Sequence, residues 1–115
     1  MATKKLNAVL HFEIPATENL DPITVCIEDI APGQGRITLT CYGAAWTNYW
    51  GAMSSAKTAD FFLSCDADYI ANRMISEVHA RAKGKKIYLM RIIEAVKNAL
   101  REIQAAPTLA EKAAG

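Results

Sequence analysis

Residues 23–42, ITVCIEDIAPGQGRITLTCY, contain two alternating segments on either side of a turn. Apolar residues occupy every second position from Ile23 to Ile27, and the segment from Arg36 to Tyr42 alternates in the same way. Between these segments, residues 31–35 (APGQG) supply a proline suited to an early turn position and two glycines that can adopt positive φ. The pattern predicts two strands paired as an antiparallel hairpin, each with one apolar face.

A further strand is predicted before this hairpin. From Leu6 to Ile14 every second residue is apolar, which places these side chains on one face of a strand. Residues 15–22 contain proline, asparagine and aspartate and are predicted to form the loop that connects this strand to the hairpin.

Helical spacing follows Gly43. Trp46, Tyr49, Trp50 and Met53 are separated by three and four positions, which is typical of residues that share one helical face. The glycine and serines that follow limit this segment to a turn or two. We therefore expect a short, irregular helix here.

Capping residues and apolar stripes predict the remaining helices. Thr58 can cap a helix that contains residues 60–63, and Asp66 can cap a helix over residues 67–83 that ends at Gly84. The stripes are Ile70, Met74 and Val78 in this helix, and Leu89, Ile92, Ile93, Val96, Leu100 and Ile103 in a last helix over residues 87–104.

Strands followed by helices, without strict alternation, predict an α+β fold. We expect a three-stranded antiparallel sheet at the N-terminal end, packed on the C-terminal helices in two layers. Pro107 should end the last helix, so residues 1–106 form a single domain and residues 107–115 a flexible tail. The two edges of such a sheet can pair with another strand, which makes a homodimer an expected possibility.

Composition excludes several classes of protein. The chain is 51% hydrophobic and its formal net charge is +1, so no global electrostatic field directs it to nucleic acid or anionic lipid. The three cysteines, Cys26, Cys41 and Cys65, fit neither a disulfide framework nor a zinc knuckle and are expected to be reduced thiols. No segment has the length of a signal peptide core or a membrane span, so we expect a cytoplasmic protein that is not bound to a membrane.

Catalytic and metal-binding signatures are not found in the sequence. His11 and His79 lack nearby ligands at a metal-binding interval, and Asp66 is better explained by a helix start than by a calcium loop. No phosphate loop or nucleotide fingerprint is present, so no cofactor is expected and an enzyme is disfavoured. A small-molecule enzyme or ligand site would need His11, Glu13, Glu28 or Asp66 to converge in a pocket.

Four aromatic residues, Tyr42, Trp46, Tyr49 and Trp50, are the main candidates for binding a partner. They lie within nine residues of one another, between small residues. One interpretation places the tryptophans in the core at a junction between elements. The other makes the cluster a protein-binding hot spot or a stacking platform for a base.

A basic run at residues 79–86 (HARAKGKK) is the second candidate site. Arg81, Lys83, Lys85 and Lys86 concentrate positive charge near a helix end, where cations complement the helix dipole. The alternative is a contact with an anion or a nucleic-acid backbone.

The middle of the chain resembles small accessory proteins of tailed phages and prophages of proteobacteria. The residues that carry the resemblance are IAPGQGRIT at 30–38, CY at 41–42, WTNYWGAM at 46–53, FF at 61–62, CD at 65–66 and YIA at 69–71. The resemblance implies a phage origin, and therefore a bacterial host cell as the location, and it transfers no catalytic residue. Small phage proteins of this kind commonly act on host proteins in stoichiometric amounts, including defence systems such as CRISPR complexes.

Three hypotheses about function follow. The first is a non-enzymatic phage protein that binds a host or phage protein, through the aromatic cluster or a sheet edge, and inhibits a defence or nucleic-acid-processing complex. The second is a nucleic-acid accessory domain that uses the basic run. The third is an enzyme or binding protein for a small molecule.

Overall fold

The computed structural model of the protein describes residues 8–75 and 83–105. In these residues four strands come first and three helices follow. The strands are β1 (Ala8–Ile14), β2 (Ile23–Ala31), β3 (Gln34–Cys41) and β4 (Ala44–Trp50), and the helices are α1 (Thr58–Ser64), α2 (Ala67–Met74) and α3 (Lys83–Ala105). The predicted α+β class with an antiparallel sheet and C-terminal helices is confirmed, but the sheet has four strands rather than three, in the order β1-β2-β3-β4.

The predicted hairpin forms the centre of this sheet. Pro32 and Gly33 connect β2 to β3, and Gly33 has a φ of 73°, the left-handed value that favours glycine at the third position of such a turn. The apolar face of the hairpin is fully buried: Ile23, Val25, Ile27, Ile37, Leu39 and Cys41. The alternation in the sequence therefore identified the correct inward face.

The segment after Gly43 is the fourth strand, and its prediction as a short helix is wrong. Residues four apart share a face in a strand as well as in a helix, so the positions of Trp46 and Trp50 fit both structures. Asn48 lies between them on the same face and interrupts the apolar alternation that would have indicated a strand. The two-residue turn at Tyr42 and Gly43 brings the chain back along β3, with which β4 pairs over its full length.

The helices pack on one face of the sheet. The predicted stripe of α3 supplies Leu89, Ile92, Ile93, Val96 and Leu100 to the core, whereas Ile103 is 40% exposed. In α2, Ile70 and Met74 are buried as predicted, and Val78 lies outside the described residues. The C-terminal cap predicted at Gly84 is wrong because Gly84 is inside the first turn of α3, and α2 ends at Met74.

The other face of the sheet, here called the open face, is largely polar. It carries Thr24, Thr38, Thr40 and Thr47, the Glu28–Arg36 ion pair (3.6 Å between the charged atoms) and Tyr49. Antiparallel sheets commonly have one packed and one solvated face, and the alternation of inward and outward side chains along the strands is consistent with this arrangement.

Thr58 attaches the helical layer to the sheet. Its backbone N–H and its hydroxyl both donate to Asp29 Oδ1, each at 2.8 Å, and Thr58 is fully buried. The predicted capping role of Thr58 is therefore wrong, since Lys57 is the N-cap residue and a carboxylate from β2 satisfies the first N–H of α1. A register shift between Asp29 and Ala31, a β-bulge, lies beside this carboxylate.

Gly35 provides the space for this attachment. A Cβ at position 35 would overlap the hydroxyl of Thr58 and approach the Glu28 carbonyl oxygen at 2.8 Å. The start of α1 can therefore approach the backbone of β3 only because this position is glycine. Asp66, by contrast, occupies the predicted N-cap of α2, but its carboxylate accepts no hydrogen bond from the backbone N–H groups of the helix.

Replacing Asp29, whose carboxylate caps the start of α1, should destabilise the fold more than replacing Asp66 at the start of α2. We expect Asp29→Ala to lower the free energy of unfolding by about 2 kcal/mol, because a buried donor pair loses its charged acceptor. Asp66→Ala is the matched control and should lower it by less than about 1 kcal/mol, the value of a helix dipole contact. Urea unfolding of both variants measures the difference, and equal losses would contradict the capping role of Asp29.

Candidate functional site

The structure separates the four aromatic residues that the sequence grouped together. Trp50 is 5% exposed and packs its ring edge-on against Phe61, with ring centroids 5.3 Å apart. Tyr49 lies on the open face, 46% exposed. Tyr42 and Trp46 are the two that come together, at the end of the sheet where β3 turns into β4.

Tyr42 occupies an unfavourable backbone conformation at this turn. Its φ is 50° and that of Gly43 is 76°, which together match the turn type that connects tightly twisted hairpins. Asparagine, aspartate and glycine are preferred at both positions, whereas a tyrosine there is strained. The side chain of Tyr42 is 80% exposed, so burial does not offset the strain.

A pocket opens beside Tyr42. It has a volume near 480 Å³, and we call it the turn pocket; its lining residues are Asp21, Cys41, Tyr42, Ala44, Ala45, Trp46, Met74, Lys85 and Tyr88. Four parts of the chain meet here: the loop before β2, the β3–β4 turn, the end of α2 and the start of α3. Aromatic and thioether surface forms much of the lining, with one cationic and one anionic side chain.

A hydrogen-bonded chain forms one wall of the turn pocket. The Cys41 thiol donates to the backbone carbonyl of Asp21, with 3.6 Å between sulfur and oxygen, and the Tyr88 hydroxyl lies 3.3 Å from the same sulfur. Because the thiol proton is directed at the carbonyl, the phenol donates to the sulfur. Trp46 packs edge-on against Tyr88, with ring centroids 6.1 Å apart, and holds this ring in place.

Tyr88 remains protonated under ordinary conditions. Its hydrogen bond with Cys41, reinforced by burial and by nearby acidic groups, raises the pKa of Tyr88 from 10.0 to about 12. A phenol with this pKa is a hydrogen-bond donor and is poorly suited to act as a general base near neutral pH.

The basic run is divided by the structure. Lys85 lines the turn pocket, whereas Lys86 pairs with Asp68 of α2 at 2.6 Å between nitrogen and oxygen. Lys83 begins α3, and Arg81 lies outside the described residues. Of the four predicted cations, Lys85 is thus the one that lines the turn pocket.

The residues proposed for small-molecule chemistry do not share a pocket. His11, Glu13 and Glu28 lie on the open face, and Asp66 starts α2 on the other side of the sheet. None of them lines the turn pocket or the second cavity, a groove near 610 Å³ between residues 17–20 and α3. Residues 8–75 and 83–105 contain no group of three or more His, Cys, Asp or Glu side chains that could hold a metal ion, and His79 lies outside them.

Most of this chain matches the model of a protein family. The model of Phage_phiTE_072, which is described as a phage family, matches residues 1–83 of the 115-residue chain. The chain belongs to this phage family. No curated protein and no solved structure matches it.

The family match confirms the predicted phage association and covers most of the site. It spans the whole sheet, α1 and α2, and so includes every lining residue of the turn pocket except Lys85 and Tyr88. Among the helices described for this phage protein, none has the length and apolar character needed to span a membrane.

Apart from two alanines, seven residues line the turn pocket, and sequence reasoning missed four of them. Asp21, Cys41, Met74 and Tyr88 were not identified, because they are far apart in sequence and each fits an ordinary structural role. One signal was available: Tyr42 and Gly43 directly follow an alternating segment, which fits a two-residue hairpin turn with a tyrosine where asparagine is preferred.

Relieving the strain at Tyr42 should stabilise the phage protein. We expect Tyr42→Asn to raise the free energy of unfolding by about 1 kcal/mol, because asparagine adopts the left-handed conformation more readily. Urea unfolding measures this effect. A loss of stability would instead show that the tyrosine ring contributes packing at the turn.

The stability of the phage protein should decline in alkali partly through Tyr88. The raised pKa means that the folded state favours the protonated phenol, so this contribution is complete below pH 10 and is lost as pH rises to about 12. Tyr88→Phe should remove that part of the decline, and Cys41→Ala should bring the pKa of Tyr88 closer to 10, as followed by phenolate absorbance. Identical alkaline stability profiles for Tyr88→Phe and the wild type would contradict the assignment.

Proposed function

We propose that this phage protein is a non-enzymatic binding protein that captures a host or phage protein at the turn pocket. The observation that carries the proposal is Tyr42, a strained aromatic residue that is 80% exposed at the rim of a partly apolar pocket. Strained backbone conformations that packing does not require are concentrated at functional sites.

The chemistry of the turn pocket suits recognition of a protein segment. Trp46, Met74 and Tyr88 offer surface for an apolar anchor side chain, the kind of contact that dominates protein interfaces. Lys85 and Asp21 lie at the same pocket and can orient polar groups of the bound segment. Tyrosine and tryptophan are also enriched at the energetic centres of interfaces.

The same residues argue against catalysis at the turn pocket. Cys41, the only thiol in the lining, is 1% exposed, and its hydrogen-bond partners are a carbonyl and a protonated phenol. Neither partner can activate a thiol as a base would. We therefore propose binding rather than a reaction.

The target is proposed to be a component of a host defence or nucleic-acid-processing complex. This part of the proposal rests on the phage family and on the resemblance to phage accessory proteins that act on host proteins. Inhibition by stoichiometric binding needs only a surface of suitable chemistry, which the turn pocket offers.

Capture of the partner should depend on Tyr42 and Lys85. The tagged protein is purified from phage-infected host cells after nuclease treatment and a high-salt wash, and the retained proteins are identified by mass spectrometry. With the purified partner, we expect Tyr42→Asn and Lys85→Glu each to raise Kd about tenfold or more, the effect of losing a hot-spot contact. Since Tyr42→Asn is also expected to stabilise the fold, its loss of binding cannot be attributed to unfolding.

Two exposed tyrosines serve as controls for this experiment. Tyr69 is 41% exposed on α2 and does not line the turn pocket, so Tyr69→Ala should leave Kd unchanged. Tyr49→Ala tests the open face, and a larger loss there than at Tyr42 would move the site away from the turn pocket. Recovery of nucleic acid alone, in a parallel purification at low salt without nuclease, would contradict protein binding and favour the basic run.

A further inference from the structure

In the part of the chain that the structure describes, the free edge of β4 lacks the features by which proteins protect exposed strands. Within residues 8–75 and 83–105, β4 pairs with β3 on one side and with no strand on the other. Its seven residues, AAWTNYW, include no charge and no proline, and its register with β3 runs without a bulge. Natural edge strands are usually short, charged, bulged or covered, since an unprotected edge pairs readily with another strand.

The turn determines which backbone groups of β4 face this edge. In a hairpin closed by a two-residue turn, the flanking residues exchange both backbone hydrogen bonds, and hydrogen-bonded pairs then alternate along the strands. Cys41 and Ala44 flank the turn, so the inward-bonding positions of β4 are 44, 46, 48 and 50. Ala45, Thr47 and Tyr49 therefore direct their N–H and C=O groups to the free edge.

The positions of these three residues allow β4 to pair with β4 of a second copy of the chain. An antiparallel pair with its twofold axis at Thr47 places Thr47 opposite Thr47 and Ala45 opposite Tyr49, all at outward-bonding positions. About six backbone hydrogen bonds result, two for each of three pairs. This is the arrangement that pairs the strand over its whole length.

The side chains of β4 are complementary in size in the same register. Position 44 lies opposite 50, and position 46 opposite 48, so Ala44 meets Trp50 and Trp46 meets Asn48. With Ala45 opposite Tyr49, each large aromatic residue faces a smaller residue of the other copy. The central Thr–Thr pair is a favourable cross-strand combination, and Thr47 already forms one with Thr38 inside the sheet, 3.2 Å between hydroxyl oxygens.

We propose that β4 is a dimer interface at which two copies of this chain join their sheets into one antiparallel sheet of eight strands, with the twofold axis at Thr47. The opposite edge of the sheet is less suited to such pairing, because its strand β1 carries His11 and Glu13 and pairs with the bulged strand β2. The dimer requires only the pairing of β4, so it does not depend on the binding function proposed for the turn pocket, although Ala44, Ala45 and Trp46 belong to both.

A charge exchange at Thr47 tests both the dimer and its register. Thr47→Lys places two like charges directly opposite each other across the axis, and Thr47→Glu does the same with the opposite sign. We expect the wild type to sediment as a dimer of the 12.6 kDa chain and each variant alone to sediment as a monomer, with the dimer Kd raised at least about tenfold. An equimolar mixture of the two variants should restore a dimer that contains one of each.

Matched controls separate the edge from other effects of charge. Thr40 is exposed on the same face but belongs to the interior strand β3, so Thr40→Lys should leave the dimer intact. Urea unfolding of each variant checks that the monomer fold persists. The proposal is overturned if the wild type is monomeric up to its solubility limit, if Thr47→Lys leaves the dimer unchanged, or if the mixture remains monomeric.

Discussion

The contact of Thr58 with Asp29 and Gly35 is the constraint on which the arrangement of the two layers depends. The half-buried carboxylate of Asp29 accepts both the first N–H of α1 and the hydroxyl of Thr58, while the glycine at position 35 lets Thr58 approach the sheet backbone. Such an attachment determines where α1 begins and how closely it lies against β3. The path from α1 into α2, which ends with Met74 at the turn pocket, starts from this docking point.

A second buried polar contact positions the other side of the helical layer. Lys97 of α3 is 6% exposed, and its ammonium group donates to the backbone carbonyl of Cys65, the residue that follows α1. A cation at the C-terminal end of a helix complements the helix dipole and satisfies a carbonyl that lacks an intrahelical partner. Both ends of α1 are thus held by side chains distant in sequence, one from the sheet and one from α3.

The sequence predicts most of the fold because its signals are local. The alternation in residues 23–42 identifies the central hairpin and its buried face, and the apolar stripe of α3 identifies the core-facing side of that helix. The errors arise where one spacing fits two structures, as for Trp46 and Trp50, or where a side chain finds a distant partner, as for Thr58 and Asp29. Of the candidate site, Tyr42, Trp46 and Lys85 were predicted, whereas Cys41 and Tyr88 meet only through tertiary packing.

The order of the strands has a consequence for how the chain folds. Each strand pairs with its neighbour in sequence, so the sheet contains only short-range connections and has a low contact order for a protein rich in strands. The sheet can therefore assemble from successive hairpins while α3 is still being synthesised. Until Leu89, Ile92 and Ile93 arrive, however, only α1 and α2 can cover the apolar face of the sheet, and this interval during translation is when the nascent chain is most prone to aggregation.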